Sequence, residues 1–231
     1  MLKSDIYTKP TNHIFALMAE VNVLSVEGLT KSFGERVLFE DLTFGVALGK
    51  KVALIAKNGS GKSTLLKIIT GIESPDSGNI VFRTGFQVGY LDQDSDFDPE
   101  ITVLDAMMNT DHPAVKAIKE YELAMLDGDA TRINEAMHEL DELQAWDIES
   151  RIHEIAGRLK LDDLQQQVKI LSGGQKRRLA LAQLLVMEPD LMILDEPTNH
   201  LDLEMIEWLE QYLDKKNNTI IMVTHDRYFL E

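Results

Sequence analysis

Ala56-Lys57-Asn58-Gly59-Ser60-Gly61-Lys62-Ser63 is the stretch whose reading decides the fold. An apolar run, Val52-Ala53-Leu54-Ile55, precedes it and reads as a buried strand. Lys62-Ser63-Thr64-Leu65-Leu66-Lys67-Ile68-Ile69 follows and reads as a helix. Strand, glycine-rich loop and helix in that order form the context that gives a phosphate-loop match its meaning. Gly59 and Gly61 lack a Cβ, so successive N–H groups can turn inward around an anion. The helix start adds unpaired N–H groups and the positive end of its dipole. Lys62 brings a point charge for the outer phosphates, and the Ser63 hydroxyl is a Mg²⁺ ligand of the right type. The pattern asks for glycine where this chain has Ala56. A methyl group is tolerated there only if φ is negative, which is the expectation; at positive φ it would be strained.

Composition narrows the class. The chain has 231 residues, enough for one large domain or a core with a sub-lobe. No apolar run approaches the roughly 20 residues needed to cross a bilayer. With no cysteine there is neither a disulfide framework nor a thiolate metal site, which fits the cytoplasm. The net charge of −16 argues against a broad nucleic-acid-binding surface, because phosphate backbones are repelled unless positive charge is concentrated locally.

Residues 1–17 show no periodicity and contain Pro10; with Met18 just before the patterned sequence, they read as a disordered extension. Val21 to Glu27 and Val37 to Phe44 read as strands, with Phe33 in the loop between them. A flat side chain there either packs locally or stacks on a purine base. Asn79 to Phe82 and Gln87 to Leu91 are short strands, and Gln93 lies just past the second, on the ligand side of an open α/β sheet. From Asp94 the character changes. Thr102-Val103-Leu104-Asp105 has capping-box form, and 113–160 is helical. Ile118, Tyr121 and Met125 mark one apolar face, and Ile133, Met137, Leu140 and Leu143 another. The accompanying acidic faces read as solvated surface.

Leu171-Ser172-Gly173-Gly174-Gln175 precedes a helix expected from about Lys176 to Met187, with Ser172 as its N-cap. Lys176-Arg177-Arg178 in its first turns could reinforce an anion site, against the sense of the dipole. Leu191-Met192-Ile193-Leu194 reads as a second buried strand ending in Asp195-Glu196. Asp195 is placed to hold Mg²⁺, and Glu196 to polarise an attacking water. Thr198 to Asp202 is a tight connection into a helix over 203–215. A last strand, Thr219 to Val223, delivers His225 to the same sheet edge, where it could hydrogen-bond a terminal phosphate. The expected fold is α/β: a P-loop NTPase core with a mixed sheet over 18–93 and 186–231, and an inserted helical lobe over 94–185 that carries Ser172-Gly173-Gly174-Gln175.

Taken together, the phosphate loop, Gln93, the helical lobe, LSGGQ, LMILDEP, the Leu-Asp turn and the terminal His resemble an ATP-binding cassette (ABC) ATPase from about residue 20 onward. TNHLD and THDRYFL resemble the soluble F subfamily, which has tandem cassettes, no membrane domain and an association with ribosome-linked translation control and antibiotic protection. The resemblance implies that Phe33 stacks on adenine and that Ala56, Lys57, Asn58, Gly59, Ser60, Gly61, Lys62, Ser63 and Thr64 wrap the phosphates. It implies Mg²⁺ on Ser63 and Gln93 with support from Asp195, Glu196 as general base and His225 as γ-phosphate sensor. Ser172, Gly173, Gly174 and Gln175 would close on ATP held by a second cassette, and Asp202 would link the paired sites. The expected partners are therefore ATP, another cassette and the ribosome, without membrane insertion. On this reading the chain corresponds to the amino-terminal half of a longer protein and hydrolyses ATP weakly alone. Two alternatives stand beside it: an ATPase subunit of a membrane transporter, and a nucleotide-binding fragment with little hydrolysis.

Overall fold

A computed structural model of the chain describes residues 21–57, 59–92, 96–110, 112–215 and 218–224, together with the backbone of a two-residue strand, β1 (Ile6–Tyr7). The chain divides into two compact units. One comprises Met1–Gln93, Pro189–Asn199 and Ile206–Glu231, and the other Asp94–Glu188 and His200–Met205.

The first unit holds two sheets. A five-stranded mixed sheet has the order β1, β4 (Lys51–Leu54), β8 (Thr219–Val223), β7 (Leu191–Asp195), β6 (Val88–Leu91). β4, β8, β7 and β6 are mutually parallel, and β1 runs antiparallel to β4. Every residue of β7 and β8 is buried, as expected of central parallel strands covered on both faces, and this is why both read as unbroken apolar runs. The second sheet is antiparallel, in the order β3 (Arg36–Ala47), β2 (Asn22–Phe33), β5 (Ser77–Phe82).

One helix joins the two sheets into a single core. α1 (Lys62–Ile69) buries Leu65, Leu66, Ile68 and Ile69. These belong to the same apolar cluster as Leu24 and Val26 of β2, Ile193 of β7 and Ile221 of β8. Each such side chain contributes about 1.5–3 kcal/mol by leaving water.

Two expectations about the strands need correction. β2 runs on to Phe33, so this aromatic ends a strand and is not part of a connecting loop. Register shifts between Val26 and Ser32 break the alternation that would have revealed the longer strand. β4 stops at Leu54, and Ile55 is half exposed. Of the residues expected to form an amino-terminal extension, Ile6 and Tyr7 are described and pair with Leu54 and Ala53.

The second unit is helical: α2 (Val103–Met108), α3 (Pro113–Asp127), α4 (Ala130–Glu142), α5 (Ile148–Arg158) and α6 (Gly173–Met187). The Thr102/Asp105 capping box is formed at α2. The apolar faces differ from those expected. Ile118 and Leu140 are buried, but Met125, Met137 and Leu143 are exposed. Alanines take their place: Ala114, Ala117 and Ala124 on α3 and Ala136 on α4 are buried. A reading weighted to large side chains misses such positions, although small residues are what let helices approach closely. Arg132 of α4 ties the hairpin with bonds to Glu120 (2.7 Å) and Asp127 (2.6 Å).

Because Leu66 is fully buried where α1 meets both sheets, Leu66→Ala is expected to destabilise the chain by about 2–5 kcal/mol, read as a lower midpoint at unchanged slope in urea unfolding.

Candidate functional site

The parallel register positions the site. Leu54 of β4 is opposite Val223 of β8, and Val223 is opposite Asp195 of β7. Three strands therefore end level at one sheet edge. The glycine-rich loop leaves from the first, and Glu196 follows the third. Two strand spacings separate β4 from β7, about 10 Å, which is a span that a metal–triphosphate can bridge.

The loop has the geometry its sequence requires. Gly59 (φ 73°) and Gly61 (φ 95°) are in the left-handed region. Ala56 is not among the residues with positive φ, so its methyl group is accommodated, as expected. Lys62 Nζ folds back to donate to the carbonyls of Ala56 (2.8 Å) and Lys57 (3.3 Å). The Ser60 N–H also donates to the Lys57 carbonyl, at 3.2 Å. At α1 the first backbone bond is Leu65 N–H to Gly61 O (2.8 Å). No side chain caps this helix among the described residues, and no acid lies in its first turn. α2 and α6, by contrast, carry full capping boxes. The N–H groups at the start of α1 are thus left for an anion. Ser63 and Thr64 stand in that first turn, partly exposed, and Lys57 is exposed. Asn58 lies outside the described residues.

Asp195 is fully buried at the end of β7, and α1 packs against that strand. Glu196 departs from regular geometry with φ of 50°, a conformation costing a non-glycine residue about 1–3 kcal/mol. Two backbone bonds hold it there: its N–H donates to Val223 O (2.8 Å), and its carbonyl accepts from Asn199 N–H (3.2 Å). Mg²⁺ at nucleotide sites takes one or two protein oxygens plus phosphate oxygens and water. The Ser63 hydroxyl and the Asp195 carboxylate are oxygen donors of that kind, on a helix and a strand that pack together, so these residues fit the ion. When bound, it would neutralise charge on the phosphates. Gln93 and His225 lie outside the described residues.

Phe33 is 54% exposed, with its ring available to a ligand. Lys31 Nζ sits 5.2 Å from the ring centroid. The strand end is held by Asp76, whose carboxylate accepts from the Ser32 N–H (2.7 Å) and hydroxyl (2.6 Å). Those two bonds and neighbouring Lys31 hold the Asp76 carboxyl below its ordinary range. Neither Lys31 nor Asp76 stood out in the sequence, because they act across a fold contact.

In the helical unit, α6 starts at Gly173, three residues before the expected start. Ser172 caps it reciprocally with Gln175: the Ser172 N–H donates to Gln175 Oε1 (2.9 Å), and the Gln175 N–H donates to Ser172 Oγ (3.3 Å). That box draws both glycines into the first turn. A Cβ on Gly174 would lie 3.6 Å from the Cβ of His200, a residue at φ 67°. Arg177 is buried, so the three basic residues do not form an exposed patch. Asp202 accepts from the Met205 N–H (3.1 Å), which caps α7 (Leu203–Lys215), and pairs with Lys160 at 2.5 Å. Lys160 is a contact that sequence reading missed, being 42 residues away.

A parallel sheet that sets a phosphate loop level with a buried strand-end acid is the frame of a P-loop NTP-hydrolysing enzyme. The family model described as ABC transporter matches residues 39–199, and the chain belongs to that family as an ATPase domain. It is 39% identical over 218 residues to the uncharacterized ABC transporter ATP-binding protein YfmR of Bacillus subtilis, covering 91% of this chain and 35% of that protein. It is 35% identical over 221 residues to the energy-dependent translational throttle protein EttA of Mycobacterium tuberculosis, covering 93% of this chain and 39% of that one. It thus spans well under half the length of these relatives. A solved structure, described as the ATP binding subunit of an ABC transporter, superposes with a TM-score of 0.65 at 25% identity, over 88% of this chain and 79% of that one.

Lys160 holds the Asp202 carboxyl below its ordinary 3.8, with help from the Met205 N–H, and Asp202 in turn raises the Lys160 ammonium above 10.5. A depressed acid contributes stability above its unfolded value and loses it as pH falls through the folded one; a raised amine contributes below its unfolded value and loses it as pH rises. Asp202→Asn keeps a capping side chain and removes the charge. Its melting temperature is expected to lie below that of the unmodified chain by a constant margin between pH 3.8 and 10.5, closing outside that window.

Proposed function

We propose that the chain is one cassette of a soluble, cytoplasmic ATPase with two cassettes, whose ATP-driven closure acts on the ribosome. The observation that carries the ATPase part is the level register of Leu54, Val223 and Asp195. In this reading Phe33 stacks on adenine, the loop from Ala56 to Thr64 wraps the phosphates, and Lys62 bridges the outer two. Ser63, Gln93 and Asp195 hold Mg²⁺. Glu196 takes the proton from the attacking water, and His225 contacts the γ-phosphate. Ser172 to Gln175 close on the ATP of the other cassette, and Asp202 links the two sites.

Three observations support the finer assignment. The name of the EttA relative describes a translational throttle. The relatives are more than twice as long as the aligned region, leaving room for a second cassette. No helix among the described residues is long and apolar enough to cross a membrane. The alternative of a transporter's ATP-binding subunit draws support from the solved relative of that description.

Glu196→Gln, an isosteric change that removes the base, is expected to lower ATP turnover by about 10²–10⁴-fold while ATP binding persists. Turnover assays on the complete two-cassette protein, with the corresponding acid of the second cassette already replaced by Gln, check this. In the same preparation, ATP-dependent co-sedimentation with ribosomes supports the translation reading, whereas co-purification of a membrane-embedded partner favours the transporter reading. Unchanged turnover removes Glu196 as base.

A further inference from the structure

β3 begins immediately behind the phosphate loop. Its first residue, Arg36, pairs with Phe33 across the turn that closes the β2–β3 hairpin. Residues two apart on a strand share a face, and Arg36 and Leu38 both reach the loop. Leu38 faces Gly61, where an added Cβ would come within 3.1 Å of the leucine side chain. Arg36 faces Gly59: its Nη2 donates to the Gly59 carbonyl at 2.5 Å and would lie 3.6 Å from a Cβ on that glycine. Strand β3 thus backs the loop at both of its left-handed glycines.

The contact at Gly59 bears on the direction of an N–H group. In a trans peptide the carbonyl of one residue and the N–H of the next point opposite ways. Arg36 takes the Gly59 carbonyl on one side. The Ser60 N–H points to the other side, where it meets the Lys57 carbonyl that also accepts from Lys62 Nζ. Ser60 and Lys62 are the donors that a phosphate oxygen would take over. Rotation of this peptide turns ψ of Gly59 and φ of Ser60, and glycine imposes little penalty on the first. Were it to flip, a carbonyl oxygen would face the phosphates and the N–H would be lost to them.

We propose that Arg36 is a positioning residue that locks the Gly59–Ser60 peptide so that its N–H faces the nucleotide phosphates, and that it thereby ties the strand bearing Phe33 to the phosphate loop. This rests on the reading of residues 56–64 as the nucleotide loop. The lock acts through a hydrogen bond to a carbonyl and not through charge on the ligand, which separates it from an ordinary phosphate-binding arginine.

The test measures equilibrium binding of ATP and of inorganic tripolyphosphate to the chain with Mg²⁺, at low and high NaCl, in the unmodified form and in Arg36→Ala and Lys62→Ala. Arg36 is exposed, so the alanine variant is expected to melt close to the unmodified chain. Arg36→Ala is expected to weaken both ligands about tenfold, the scale of one hydrogen bond from a charged donor. Salt screens attraction to the ligand's charge much more than a hydrogen bond to a carbonyl, so the ratio of the unmodified to the Arg36→Ala affinity is expected to stay near tenfold when NaCl is raised from about 0.1 M to about 1 M. Binding by Arg36→Ala equal to that of the unmodified chain overturns the lock. So does a ratio that falls to about one at the higher salt, which would make Arg36 a simple electrostatic attractor. Lys62→Ala separates the two levels of the argument: if it binds ATP as tightly as the unmodified chain, the loop itself is misread and both inferences fall, whereas its loss of binding beside a normal Arg36→Ala removes only the lock.

Discussion

The parallel pairing of β4, β8 and β7 is the constraint on which the rest of the structure depends. It sets Leu54, Val223 and Asp195 in one row, although the first and last are far apart along the chain. A slip of one residue would turn every buried side chain of β7 to the opposite face, and because both faces are close-packed each would meet a space shaped for another. Burial therefore fixes the register, and the register fixes the spacing between the loop and the acids. α1 adds the third constraint. Its buried Leu66 and Ile68 seat it in the core cluster that also contains Ile193 and Ile221, so the helix start cannot drift from the strand ends. The site is specified by apolar packing before any polar contact is made.

The polar contacts then orient the donors. In a chain of net charge −16, a polyanion meets general repulsion, and binding requires cations close to the ligand. Lys57 and Lys62 stand on the loop itself to supply them. The Lys57 carbonyl gathers the Lys62 ammonium and the Ser60 N–H. Glu196, at φ 50°, is a strained residue next to the expected chemistry, held by bonds from β8 and from the turn that follows. Strain of this kind persists only where surrounding structure over-determines it, and the bonds to the Val223 carbonyl and from the Asn199 N–H do so here.

What could be read in the sequence was whatever burial or backbone chemistry writes locally. The apolar runs at 52–55, 191–194 and 219–223 announced strands, the first one residue too long, and the glycines at 59 and 61 announced a loop that turns its N–H groups inward before a helix. Ser172 and Thr102 announced their caps. Bulges hid the full length of β2, and with it the place of Phe33 at a strand end. Four of the buried positions on α3 and α4 are alanines, whereas a search for large apolar residues chose the exposed Met125 and Met137. The reciprocal Ser172/Gln175 box sets the start of α6 at Gly173, three residues before the expected Lys176. Contacts between distant positions left no local trace: Arg36 to Gly59, Lys160 to Asp202 and Asp76 to Ser32 exist only once the strands and helices are placed. Asn58, Gln93 and His225, expected at the site, lie outside the described residues.

A crystal structure with Mn²⁺ and a non-hydrolysable ATP analogue tests the central claim most directly, because the manganese anomalous signal locates the ion without interpretation of the nucleotide. The account predicts one strong peak between Ser63 Oγ and the Asp195 carboxylate, with the triphosphate over the N–H groups of residues 59–64. A nucleotide seated elsewhere, or an ion more than a coordination shell from both side chains, would contradict it.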